Sequence, residues 1–212
     1  MPLSKAEQKS RQILAKSVAV GLRSRAKAAG WKVSQGCLFR EDGGWFVDAQ
    51  PKVWVMEQKW TLQLSAKPMS IDPVFWEIVA TKDNNKRPLS FRLFGAWTVR
   101  TPPISQVEVA DNSLDAPSLS DAIVRVAQRE FDRSKLGRGL EGFLSKLQKH
   151  DPDNPYLAAV VCTLALLDRR EEARKVCITA RERNETGGFL VGARTFVDLA
   201  LEWFDKTEPT RH

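Results

Sequence analysis

Apolar and polar side chains alternate along residues 53–66 of the chain. Trp54, Met56, Trp60, Leu62, Leu64 and Ala66 fall on one side and Glu57, Lys59, Thr61, Gln63 and Ser65 on the other, with Gln58 as the polar exception on the apolar side. Successive side chains of a strand point to opposite faces, so this pattern predicts a long strand buried on one face. Residues 31–40 and 45–50 are apolar, aromatic runs that flank Glu41-Asp42-Gly43-Gly44. They read as a hairpin, because glycine reaches positive φ at no steric cost. Pro51 is expected to stop or bend the second of these strands. Further on, residues 69–73 are rich in turn formers, 74–80 suit either a strand or a short helix, and TKDNNKRP at 81–88 reads as a solvent loop. Alternation returns at 89–99, with Phe91, Leu93 and Gly95 against Arg92, Phe94 and Ala96. Apolar groups on both sides predict a central strand, ended by Pro102-Pro103, with 104–109 as a short edge strand.

Helical periodicity brackets this sheet-forming stretch. In residues 3–29, Leu3, Leu14, Val18, Gly21, Leu22 and Ala29 share a broad arc at ~100° per residue, and Gly30 follows as a stop signal. Composition changes at 110–117 to ADNSLDAP, a linker, and helical patterns then take over. Ser118 or Ser120 caps a helix to about residue 134, with Ile123, Ala127 and Phe131 inward. Leu136, Leu140, Phe143, Leu144 and Leu147 are spaced for a second amphipathic helix. After the break at 150–155, residues 156–167 carry Thr163 as the one polar side chain besides the tyrosine hydroxyl, so that helix must be enclosed by protein. Residues 171–184 and 189–204 supply two more, making a bundle of about five helices.

Charge adds a feature that the apolar pattern does not show. The net charge of +7 is concentrated in residues 1–29, which hold seven basic groups against Glu7 alone. On the helical projection Lys5, Lys9, Lys16, Arg23 and Lys27 fall in a stripe ~40° wide opposite the apolar arc, and ~33 Å long. One reading is a solvated outer face; the other is a linear contact for an anionic partner, a phosphate backbone or an acidic protein groove. Glu7 is the one acid near these lysines, so the repulsion within the row is left largely unrelieved.

Catalytic chemistry finds little support. Gly137-Arg138-Gly139-Leu140-Glu141-Gly142 matches G-x-G-x-x-G, yet it follows a predicted helix where a dinucleotide site needs a strand. His212 is the last residue and His150 sits at a helix end; Cys37, Cys162 and Cys177 form no metal-ligand spacing. Glu41-Asp42 and Glu171-Glu172 sit at a turn and a helix start, where acids are favoured structurally. No catalytic residue, metal site or cofactor is expected. Of the seven tryptophans, Trp31, Trp45, Trp54, Trp60, Trp76 and Trp97 read either as core or as a stacking platform, and Trp45 is the candidate for an exposed aromatic contact. No apolar run approaches the ~18 residues that span a bilayer, and MPLSKAEQKSRQ lacks the apolar segment of a signal peptide, so a cytoplasmic protein without a membrane role is expected.

LALLDRREEARKVCITA resembles the turn and second helix of a tetratricopeptide repeat, with Ala173 and Ala180 seven apart. The resemblance covers residues 156–184 and implies a single helical hairpin. Residues 1–110, a basic helix leading into a hairpin and a Trp-containing strand, resemble an uncharacterised bacterial α+β family of unknown function. The expected fold is therefore α+β: an N-terminal α+β domain (1–110) with a long helix on an antiparallel sheet of four to six strands, a linker (111–117) and a helical domain (118–207). The expected function is a non-enzymatic bacterial binding or adaptor protein that engages a partner protein. The alternative is a nucleic-acid-binding protein using the basic stripe; the third reading is an enzyme with its site in the cleft between the halves.

Overall fold

Ser4 starts the first helix, α1 (Lys5–Ala28), through a capping box. Its hydroxyl accepts from Glu7 N at 3.3 Å, while Ser4 N donates to Glu7 Oε2 at 2.7 Å. The computed structural model describes residues 4–54, 57–93, 97–110, 115–134, 139–149 and 155–207. The breaks expected at 111–114 and 150–154, Leu136 and the first two residues of the G-x-G-x-x-G lie outside these.

Beyond α1 come β1 (Lys32–Ser34), β2 (Cys37–Asp42), β3 (Trp45–Trp54), β4 (Lys59–Pro68) and β5 (Pro103–Ala110), in the spatial order β1-β2-β3-β4-β5. The strands form an antiparallel sheet, as the α+β reading expects. Two hairpins close through two-residue turns, Gln35-Gly36 at φ 50° and 78° and Gly43-Gly44 at φ 54° and 81°. Positive φ at both turn positions matches the twist of the flanking strands, which is why the Gly-Gly pair sits where Asp42 faces Trp45. Gln35-Gly36 also divides the run 31–40, read above as one strand.

Three other expectations need correction. Pro51 does not end β3, which continues to Trp54. The alternating run 53–66 is not one strand: Glu57 and Gln58 form a turn, with Gln58 at φ 46°, and positions 55 and 56 lie outside the described residues. Trp60 therefore faces the helices with Leu62 and Leu64. Trp54, next to the inward Val53, points to the opposite face. The described residues of 89–99 do not form a strand either, and Phe94, Gly95 and Ala96 of that expected strand lie outside the described residues. Leu89–Arg92 is a 3-10 turn, and buried side chains satisfy the backbone of Val99 where a ladder would otherwise do so.

The helices that follow are α2 (Ile71–Ile78), α3 (Ala116–Ser134), α4 (Gly139–Gln148), α5 (Leu157–Leu166), α6 (Arg170–Glu182) and α7 (Phe196–Lys206); a small hairpin, β6 (Leu190–Val191) and β7 (Arg194–Thr195), precedes α7. Contacts group the chain into two compact units, Met1–Ala66 with Pro103–Leu136, and Lys67–Pro102 with Gly137–His212. This grouping differs from the consecutive blocks 1–110 and 118–207 expected above. α3 belongs with the sheet, and α2 takes its place among the five helices of the second unit.

In the first unit α1 and α3 lie together on one face of the sheet. Val18, Leu22 and Ala26 of α1 meet Leu119, Ile123 and Ala127 of α3 over Leu38, Val47, Ala49, Trp60, Leu62 and Leu64. The two helices are in close contact at Gly21, where an added methyl group would stand 2.5 Å from Ser120 Oγ and 3.1 Å from Ser120 Cβ. Ser120 is fully buried and donates to Val18 O at 3.2 Å and Ala116 O at 2.6 Å. Beside this crossing Arg25 pairs with Asp121. Trp31 Nε1 donates to Gln128 Oε1 at 3.0 Å, and the Arg40 guanidinium stacks 4.6 Å from the Phe131 ring.

In the second unit α5 is enclosed, every residue from Leu157 to Leu164 being buried, as its composition requires. α2, α4 and α6 pack around it. A charged cluster ties the end of β4 and the irregular segment after α2 to α2 itself. Asp72, with no exposed surface, accepts from Lys67 Nζ at 2.9 Å, Arg92 Nη1 at 2.5 Å and Val99 N at 3.3 Å. Lys67 Nζ also donates to Val99 O at 3.2 Å, and Arg92 Nη1 to Met69 O at 3.2 Å. The Arg92 guanidinium lies 5.0 Å from the Trp76 ring, whose Nε1 donates to Trp97 O at 2.6 Å.

Removing one partner of a buried ion pair leaves an uncompensated charge, which costs about 3–5 kcal/mol. Asp72→Asn strands two cations at once and is expected to lower the unfolding free energy measured by urea denaturation by an amount in that range. Exposed Asp83→Asn, at the Lys86 pair, is expected to change it by less than about 1 kcal/mol.

Candidate binding face on the first helix

The buried positions of α1 fix its rotation, and with it the face left outside. Val18, Leu22 and Ala26 recur every four residues and turn inward, so Lys5, Lys9, Lys16, Arg23 and Lys27 turn outward; all five are exposed. Helical spacing sets these five along one side of α1. Among the described residues none of the five makes an ion pair, whereas Arg25, Lys59, Lys67, Arg92, Arg169 and Arg174 each meet a carboxylate. Lys27 in the last turn complements the helix dipole. Lys5 and Lys9 lie in the first turns, at the positive end, and Lys5–Lys9 and Arg23–Lys27 are like-charge i,i+4 pairs, each unfavourable by about 0.2–0.5 kcal/mol. Helix stability thus explains Lys27 and speaks against the other end of the row.

Two features border the row that sequence reasoning did not single out. On one flank Ile13 and Val20 are 56 % and 68 % exposed, large values for branched aliphatic side chains. They are seven residues apart, so they stand on one side of the helix about 10 Å from each other. The signal was available in the sequence, because both lie outside the apolar arc on the helical projection. On the other flank is a groove of about 430 Å³ between α1 and the sheet. Leu14, Val18, Ala19 and Leu22 form its helix wall, with Lys16 of the row at its edge. The Gln35-Gly36 turn, Cys37, Pro51 and Val53 complete it. This feature depends on where β3 and the first hairpin turn end relative to α1, which periodicity does not report.

Trp45 is not part of this face. It is half-buried and packs against the core of the first unit, at the opposite end of β3 from Pro51, six residues or about 20 Å of strand away. Trp31, Trp60 and Trp76 are 3 %, 0 % and 1 % exposed, so these three serve as core. No group of three or more His, Cys, Asp or Glu side chains among the described residues is arranged to hold a metal, and no described helix is long and apolar enough to cross a membrane.

Burial pushes the Cys37 thiol up to about 12, with the nearby Asp48 carboxylate adding to the effect. Burial also pushes Cys177 to about 12 and Cys162 well above the ordinary thiol range. Glu130 on α3 is held low, first by the hydrogen bond from Ser105 at 2.7 Å and then by Arg129 and Arg133. No family model, curated protein or solved structure matches the chain.

The raised thiol values set a pH direction. Folding favours the protonated thiols, so their contribution is complete below the ordinary thiol pKa of ~8.5 and is lost as pH rises from there towards about 12. The three free, buried cysteines are expected to resist a thiol-reactive chromogen at pH 8 in the native protein and to react fully after denaturation. The urea midpoint is expected to fall between pH 8 and pH 10. Rapid native labelling would contradict the burial.

Proposed function

We propose that the protein is a non-enzymatic binding protein that engages an acidic surface of a partner protein through the outward face of α1. The observation that carries this reading is the row itself: five exposed cations in line, without carboxylate partners among the described residues, two of them at the helix end where positive charge is unfavourable. Exposed Ile13 and Val20 beside the row favour a protein over a phosphate backbone, since branched aliphatic groups gain from apolar contact and nothing from phosphate. The three free, buried cysteines suit the cytoplasmic setting that belongs to the same reading. Nucleic-acid binding is the second reading, favoured by the linear ~33 Å extent of the charge.

The two separate by fluorescence anisotropy with a labelled Glu/Ala peptide of roughly 20 residues and a duplex of roughly 20 base pairs, each titrated from low to about 150 mM salt. The protein reading expects saturable peptide binding that weakens with salt. It also expects a loss of about tenfold or more in Lys16→Gln/Arg23→Gln/Lys27→Gln, the sum of three modest surface contacts. Duplex binding that is tighter than peptide binding and equally dependent on those residues would replace it with the nucleic-acid reading. Absence of peptide binding, or binding indifferent to the triple substitution, would overturn it.

A further inference from the structure

The groove beside the row has a composition that bears on what kind of acidic segment fits. Its walls are aliphatic: Leu14, Ala19 and Leu22 on the helix side, Pro51 and Val53 on the sheet side. Its volume of about 430 Å³ lies toward the small end of ligand pockets, which run to ~1,000 Å³. Polar atoms come from Lys16 at the edge and from the Gln35-Gly36 turn, and no buried charge faces into it. Such a space rewards an apolar group and offers a small polar ligand few fixed partners. Lys16 belongs both to the groove and to the row, so one occupant reaches both.

Charge then selects among apolar occupants. A lone carboxylate on an aliphatic chain would satisfy Lys16 and leave Arg23 and Lys27, about two and three turns along the helix, without a partner. A segment with several acids spaced along α1 meets all of them while it lowers an aliphatic side chain between Ala19 and Val53. Resting on the protein-binding reading above, we propose that the groove is an anchor pocket for a leucine- or isoleucine-sized side chain of an acidic partner segment. The cations of α1 position the segment, and the anchor supplies selectivity among acidic sequences.

The test compares two labelled acidic peptides of equal length and charge, one with a central pair of leucines and the other with alanines at those positions, by anisotropy at about 150 mM salt. The full-length protein is expected to bind the leucine peptide roughly tenfold more tightly, the scale expected for burying one aliphatic side chain. Ala19→Phe, which fills the groove from the half-exposed side of α1, is expected to abolish that preference while leaving the alanine peptide's affinity unchanged. Val53→Phe, filling it from the strand side, provides a second version if the first does not retain the native circular dichroism and melting profile. Equal affinity for the two peptides, with both still lost on triple substitution of Lys16, Arg23 and Lys27, would overturn the anchor pocket and leave the protein-binding reading standing. A leucine preference that survives both groove-filling variants would also overturn it.

Discussion

The close approach of α1 and α3 at Gly21 and Ser120 is the constraint from which the first unit follows. With no side chain at position 21, the two backbones come near enough for the Ser120 hydroxyl to reach the carbonyl oxygen of Val18. That contact, with the Val18-Leu22-Ala26 ridge, fixes the rotation of α1 about its own axis. Rotation in turn decides which residues meet the sheet and which meet solvent. A helix turned by one residue position, about 100°, would bury lysines and expose the ridge. The outward basic row is therefore a consequence of the core, and its straightness comes from the i,i+4 and i,i+7 spacing of the same helix. α1 is held by its second half: from Lys5 to Ile13 no described side chain is buried, and the first described side chain that is buried is Val18. The exposed half extends the charged face beyond the packed region.

The second unit solves a different problem. Residues 67–102 pass from a strand end through α2 and two 3-10 turns, with little regular ladder to satisfy the backbone. Asp72 does that work from inside, gathering Lys67, Arg92 and the Val99 amide around one carboxylate. A buried ion cluster contributes little net stability compared with an apolar core of the same size, yet it specifies geometry, because other arrangements leave a charge unpaired. The cluster is thus best understood as what makes an irregular segment unique. The small helical bundle around α5 supplies the apolar burial.

Legibility in the sequence followed the length over which a pattern repeats. α1, α3, α5 and α6 were readable because several turns of apolar spacing agree, and the Gly43-Gly44 turn because two successive glycines mark a positive-φ pair. The run 53–66 misled because most of its apolar residues stay at even positions throughout, while the inward face changes from odd positions in β3 (Val47, Ala49, Val53) to even ones in β4 (Trp60, Leu62, Leu64), so Trp54 and Trp60 looked like neighbours on one face. The segment 89–99 misled because Phe91 and Leu93, two residues apart as in a strand, sit in and just after the 3-10 turn Leu89–Arg92, where that spacing carries no sheet pairing. At the candidate site, the five basic residues were legible from charge and helical angle alone. The groove was not, since it is made by residues 14–22, 35–37 and 51–53 brought together by hairpin registry. Trp45 was selected as an aromatic in an apolar run, and only tertiary packing shows it leaning on the core.

The proposed contact surface is the outward face of α1, which would otherwise be merely a solvated one. A backbone amide NMR titration of the full-length protein with a leucine-containing acidic peptide tests this most directly, because it reports every surface at once. Shifts are predicted to concentrate along α1 from Lys9 to Lys27, and at the Gln35-Gly36 turn and Pro51–Val53 neighbourhood, with the Trp45 end of β3 unaffected. Shifts scattered in proportion to exposed lysine and arginine over both units, or centred on a surface away from α1, would contradict it.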